Sequence, residues 1–136
     1  MSELSTIGQH GVRIDEDTAY LDISGGFVLA EVVEFHRLLE GIIRKHGRCF
    51  VIVDRRRMVG NYSPEMRRFV AEWNRAHRAT SVALIDDGRA RRGALSLITA
   101  AIRLFRKEEL PFRIVGSEEE ARAAIAEDRR RLASRS

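Results

Sequence analysis

The sequence feature that most constrains the fold is a continuous apolar run at residues 49–53, CFVIV, which ends at Asp54. An uninterrupted run of this length is typical of a strand buried on both faces, because a half-exposed strand would alternate apolar and polar side chains. Three arginines and a glycine turn at 60–61 follow. Next come Ser63, an N-cap residue, and Pro64, which is favoured at the first helical position. The sequence therefore predicts a central strand, a basic turn and a capped helix, in that order.

The remaining hydrophobic pattern divides the chain into further strands and helices. The predicted strands are 11–14, 18–23, 49–54, 80–85 and 111–115, and the predicted helices are 28–46, 63–77, 89–107 and 118–132. This order, ββαβαβαβα, predicts an α/β fold with a mainly parallel sheet, an N-terminal antiparallel hairpin and helices on both faces. We expect a single domain over residues 1–136, with flexible ends at 1–9 and 133–136.

Composition narrows the class of protein. The 136 residues are 44% apolar and 32% charged, which is typical of a globular domain. No apolar run approaches the roughly 20 residues that span a bilayer, and no basic leader precedes an apolar stretch, so we expect a cytoplasmic protein without a membrane span. The single cysteine, Cys49, excludes an internal disulfide and is expected to be a small buried residue.

Arginines cluster where the predicted strands end. In open parallel sheets ligands bind beyond the carboxyl ends of the strands, so the arginines after two neighbouring strands predict an anion or partner site. The alternative is that these are solvated loop charges. Asp54 is expected to hold the turn between strand and helix. The candidate residues are Asp54, Arg55, Arg56, Arg57, Tyr62, Arg89, Arg91 and Arg92.

The predicted helix at 89–107 has an apolar arc wider than a one-sided surface helix needs. The surplus would suit a homodimer seam, a docking face for a regulator, or the wall of a pocket for a small ligand or lipid. Deep packing between neighbouring elements would also explain it. The residues of this face are Leu97, Ile98, Ala101, Leu104 and Phe105.

The order of elements, with a strand ending in Asp54, a loop, and Ser63 at the start of the next helix, resembles the STAS domain of anti-sigma factor antagonists. The resemblance extends over about residues 11–126 and includes small stand-alone STAS-like bacterial proteins. It implies that Ser63 is the serine phosphorylated by a partner kinase. The family has an acid before this serine and small residues with glycine after it, whereas this chain has Tyr62 before and Pro64-Glu65 after. The other interpretation is that Ser63 serves only as a helix cap.

The sequence contains no pattern that predicts an enzyme. The histidines have no metal-ligand spacing, and no nucleophile-elbow, metalloprotease or P-loop string occurs, so we expect no metal and no cofactor. The aromatic residues do not interleave with arginines as in nucleic-acid binders. We therefore expect a non-enzymatic STAS-like interaction module whose partner is a regulator or a kinase-like anti-sigma factor. The alternative is a small-ligand or lipid-binding protein, since the stand-alone group is also compared with CRAL-TRIO lipid-binding folds.

Overall fold

The computed structural model describes residues 2–60, 62–77, 81–86 and 112–135. The strands are β1 Ser2–Ile7, β2 His10–Asp15, β3 Thr18–Gly25, β4 Phe50–Met58, β5 Ser81–Ile85 and β6 Phe112–Val115, and the helices are α1 Leu29–His46, α2 Pro64–His77 and α3 Glu118–Arg135. The predicted helix at 89–107 lies outside the described residues.

The six strands form one sheet in the order of the chain, β1-β2-β3-β4-β5-β6. Strands β1, β2 and β3 pair antiparallel, whereas β3, β4, β5 and β6 pair parallel. This arrangement confirms the predicted α/β class, with antiparallel strands first and a parallel sheet after them.

The core lies on both faces of the sheet, and β4 contributes to each. Val51 and Val53 pack with α1 and α2, while Phe50 and Ile52 pack on the opposite face with α3. All four side chains are at most 6% exposed. Strand β4 is therefore the two-faced strand that its apolar run predicts, because helices cover it on both sides.

The N-terminal residues correct one expectation. The first predicted strand is 11–14, but Ser2–Ile7 form a further strand that pairs with β2 along its whole length. The two apolar residues of this strand, Leu4 and Ile7, are three positions apart and face opposite ways, so the sequence shows no period-2 apolar pattern here. Backbone pairing with the open edge of β2, which a single-sequence pattern does not reveal, makes it a strand.

The C-terminal residues correct another expectation. The last helix is predicted to end near residue 132, but α3 continues through Arg135. An ion pair attaches this helix to the turn between β2 and β3, where Arg129 Nη1 donates to Asp17 Oδ2 at 2.9 Å. Arg48 Nε, just before β4, donates to the same oxygen at 2.7 Å. Burial alone would raise the pKa of Asp17, but the hydrogen bonds from the two arginines outweigh it and the pKa is lowered.

A buried histidine lies between α1 and α2. His36 contacts the rings of Phe69 and Trp73 edge-on, and its Nδ1 donates to the Val32 carbonyl at 2.7 Å. Burial lowers the pKa of His36 to about 4, because the charged imidazolium would lose its hydration in this interface.

We expect the fold to lose stability when the pH falls from 7.5 to 5. The unfolded chain takes up a proton at His36 near pH 6.5, whereas the folded chain does so near pH 4, so the contribution of neutral His36 is lost through this window. The loss in unfolding free energy should be about 2 kcal/mol at pH 5, measured by urea denaturation. His36→Leu should remove most of this slope. An equal slope in the variant would show that another group titrates.

Candidate functional site

A β-bulge in β4 organises the carboxyl ends of the central strands. Asp22 of β3 pairs with Asp54, but Ser24, two residues later, pairs with Arg57, which is three residues later. Strand β4 therefore contains one extra residue at this point, and bulges of this kind change where side chains point. The expected turn at Arg55–Arg57 is wrong in this respect, because β4 continues to Met58.

The bulge separates the three arginines. Arg56 pairs with Asp54 and Arg57 pairs with Asp22 on the α3 side of the sheet. Arg55 lies on the opposite side, 3% exposed, with its guanidinium 5.9 Å from the centre of the Tyr62 ring. The arginines therefore do not form one anion site.

The Asp54 carboxylate is the centre of the α3-side cluster. It is 5% exposed and accepts four hydrogen bonds. The Tyr20 hydroxyl donates at 2.9 Å, while the Arg56 backbone N–H, Nε and Nη2 donate at 3.1, 3.0 and 2.7 Å. Burial would raise the pKa of Asp54, but these donors outweigh it and the pKa is lowered.

Two arginine side chains lie near the Tyr20 ring. The Arg13 guanidinium lies 4.2 Å from its ring centre and that of Arg122 lies 6.0 Å away. Burial, together with the hydrogen bond to Asp54, raises the pKa of Tyr20 to about 12. The phenol therefore stays protonated at neutral pH and acts as a donor.

A groove of about 790 Å³ opens above this cluster, over the part of the sheet formed by β1 to β4. Arg13 Nη2 donates a hydrogen bond to Glu118 Oε1 across this groove at 2.9 Å. We call this feature the arginine groove. Its lining residues are Leu4, Ser5, Gly11, Val12, Arg13, Tyr20, Asp22, Asp54, Arg56, Arg57 and Glu118. Sequence reasoning missed Arg13, Tyr20, Asp22 and Glu118 as members of one site, because their approach to Asp54 depends on strand register.

Ser63 lies on the other side of β4, at the start of α2. Its Oγ accepts a hydrogen bond from the Met66 backbone N–H at 3.1 Å, which is the predicted N-cap. Arg67 donates to the Tyr62 carbonyl at 3.5 Å and so lies beside Ser63. Of Arg55, Arg56 and Arg57, which the sequence places in one anion or partner site, Arg55 alone is on this side of the sheet.

A buried aromatic row continues from Tyr62. The Phe27 ring lies 5.8 Å from Tyr62 and 4.9 Å from His10, which is fully buried. His10 accepts from the Ser24 backbone N–H through Nδ1 and donates to Glu31 through Nε2, each at 3.0 Å. Both ring nitrogens are thus occupied, and His10 links β2 to the start of α1.

The other predicted site residues lie outside the described residues. These are Arg89, Arg91 and Arg92 of the anion site and Leu97, Ile98, Ala101, Leu104 and Phe105 of the apolar face. Within residues 2–60, 62–77, 81–86 and 112–135, no three His, Cys, Asp or Glu side chains are grouped to hold a metal ion. In the same part of the chain, no helix is long and apolar enough to cross a membrane.

We expect Asp54→Asn to lower the unfolding free energy by about 2 kcal/mol, because it leaves the buried Tyr20 hydroxyl and the Arg56 guanidinium without their charged acceptor. Asp22→Asn is the matched control. It is on the same side of the neighbouring strand, but its partner Arg57 is 66% exposed, so the cost should stay below about 1 kcal/mol. Denaturant titration at pH 7 measures both. Equal losses would contradict the central role of Asp54.

The architecture is similar to that of a solved structure. No protein-family model and no curated protein matches the sequence. The solved structure is an uncharacterized protein from the DUF3478 family, with a SpoIIAA-like fold, from Shewanella loihica PV-4. It superposes with a TM-score of 0.57 at 12% identity, covering 89% of this chain and 92% of that one. The chain therefore has a SpoIIAA-like fold, which is the STAS-like fold that the order of its elements predicts.

Proposed function

We propose that this chain is a non-enzymatic STAS-like module that binds another protein through the surface around Ser63. The observation that carries the proposal is a group of exposed apolar side chains at the carboxyl ends of β3 and β4. Val28, Leu29 and Val59 are 56%, 37% and 70% exposed. We call these three residues the apolar edge patch.

The loops that carry the apolar edge patch are tied together. The Val59 backbone N–H donates to the Gly25 carbonyl at 2.8 Å, and the rings of Phe27 and Tyr62 are 5.8 Å apart. Both loops are therefore held beside Ser63. Apolar side chains exposed on an ordered surface favour contact with a protein, because burying them removes apolar area from water.

Phosphorylation of Ser63 would switch such a surface. The start of α2 favours a negative charge, because its backbone N–H groups and helix dipole point toward Ser63. Arg67 lies next to it and would pair with an added phosphate. The phosphate would also place a double negative charge beside the apolar edge patch, which disfavours an apolar partner. The N-cap role and the switch role are compatible.

The chemistry of the α3-side cluster supports a non-enzymatic assignment. Asp54 already accepts four hydrogen bonds and its pKa is lowered, so it is a poor proton acceptor at neutral pH. Tyr20 has a pKa raised to about 12 and donates to Asp54, so it is a poor acid. General acid–base catalysis favours groups with a pKa near the working pH.

We expect a photo-crosslinking amino acid at position 59 to capture a specific protein in native cells. Position 4 is the matched control. Leu4 is 73% exposed and Val59 is 70% exposed, so the two positions are equally accessible. Leu4, however, lies on β1 at the arginine groove and not at the apolar edge patch. The same adduct should form from position 28 and be absent from position 4. Capture from position 4 alone would contradict the proposed surface, and a crosslink to a second copy of the chain would identify a homodimer instead.

We expect Ser63 of the protein purified from native cells to carry a phosphate under some growth conditions. Intact-mass and peptide mass spectrometry would show it on the wild type and not on Ser63→Ala. Ser63→Thr keeps the hydroxyl and the cap and should remain modified. Ser63→Ala should also lower stability by about 1 kcal/mol through loss of the cap. An unmodified Ser63 under all conditions would leave the serine as a cap only.

A further inference from the structure

We propose that the arginine groove binds the phosphate group of a small organic molecule, through Arg13, Arg56 and Arg57. This site lies on the α3 side of the sheet, whereas the Ser63 surface lies at the other side of β4. The inference is therefore independent of the proposed partner surface, and either can fail without the other.

Each carboxylate of the groove already accepts a hydrogen bond from an arginine. Asp54 accepts four hydrogen bonds, and Glu118 accepts from Arg13 at Oε1 and from Arg122 at Oε2, at 2.9 and 2.8 Å. Asp22 accepts from Arg57 at Oδ2, and its Oδ1 is buried and has no hydrogen-bond partner among the described residues. The acids therefore offer little to a cationic ligand.

The arginines, in contrast, keep hydrogen-bond donors for a ligand. Among the described residues, Arg13 and Arg57 each use only Nη2 in their ion pairs, and Arg56 uses Nε and Nη2 but not Nη1. A guanidinium has five N–H donors, so several remain on each side chain. The three side chains are 39%, 66% and 40% exposed, in the order Arg13, Arg57, Arg56. The free N–H groups of these arginines are therefore polar groups that the groove offers to a ligand.

The ion pairs also prepare the site for binding. Each arginine is held in place by one carboxylate, so less side-chain freedom is lost when a ligand binds. The three arginines and three carboxylates that line the groove balance in charge, and Arg122 pairs with Glu118 from outside the lining. What favours an anion is therefore the set of arginine N–H donors that the ion pairs leave free.

A phosphate monoester fits these donors better than a carboxylate. Its three terminal oxygens accept hydrogen bonds from several directions, and the guanidinium groups come from two different strands, β2 and β4. The groove also contains Leu4 and the Tyr20 ring, which suit contact with an organic part of the ligand. A volume of about 790 Å³ is within the usual range for small-molecule sites.

The test is a titration of the full chain with inorganic phosphate and with phenyl phosphate at constant ionic strength, followed by amide NMR shifts and calorimetry. We expect saturable shifts in β2, β3 and β4 around the groove, with phenyl phosphate binding more tightly than inorganic phosphate. Arg57→Gln should weaken binding about tenfold, the loss expected for one charge-assisted contact.

Arg131→Gln is the matched control. Arg131 is also paired with a carboxylate, Glu127, and is 53% exposed, but it lies near the far end of α3 from Glu118. It should leave binding unchanged, and both variants should keep the wild-type melting temperature. Any one of four results would overturn the proposal. These are equal weakening by Arg131→Gln, tighter binding of acetate than of phosphate, shifts confined to the start of α2, and no saturable shift with phenyl phosphate.

Discussion

The buried carboxylate of Asp54 is the interaction on which the carboxyl end of the sheet depends. A charge at 5% exposure is tolerated only when donors replace its hydration, and Tyr20 and Arg56 supply four of them. Tyr20 belongs to β3 and Asp54 to β4, so this network fixes the two parallel strands against each other. It also explains why the strand continues beyond its apolar part, since the Arg56 backbone N–H is one of the donors.

The bulge that follows Asp54 gives the two sides of β4 different surfaces. On the α3 side, Arg56 and Arg57 enter a groove of paired charges in which the arginines keep free N–H donors. On the α2 side, Arg55 is buried near Tyr62, and the apolar edge patch is exposed beside Ser63. One strand thus separates a donor-rich surface from an apolar one. The SpoIIAA-like fold accommodates both, because sites sit on a fold without being dictated by it.

Helix α3 is held to the rest of the protein by ion pairs and hydrogen bonds as well as by apolar packing. Its inner face uses small residues, with Ala121 and Ala124 buried beside Ile125. At its start, Glu118 accepts a hydrogen bond from Arg13. Further along, Arg129 donates to Asp17, and Asp128 accepts from Ser81. These contacts join residues that are 105, 112 and 47 positions apart, so none could be read from local sequence.

The sequence by itself determined what depends on near neighbours. The two-faced strand at 50–53 and the Ser63 cap follow from short-range rules for burial and side-chain capping. Tertiary structure alone decided the pairing of β1, the bulge, the separation of Arg55 from Arg56 and Arg57, and the arginine groove. Each of these depends on strand register or on an ion pair between distant residues, such as Arg57 with Asp22, 35 positions apart. A one-residue change of register moves side chains to the other face, and no local pattern fixes where that change occurs.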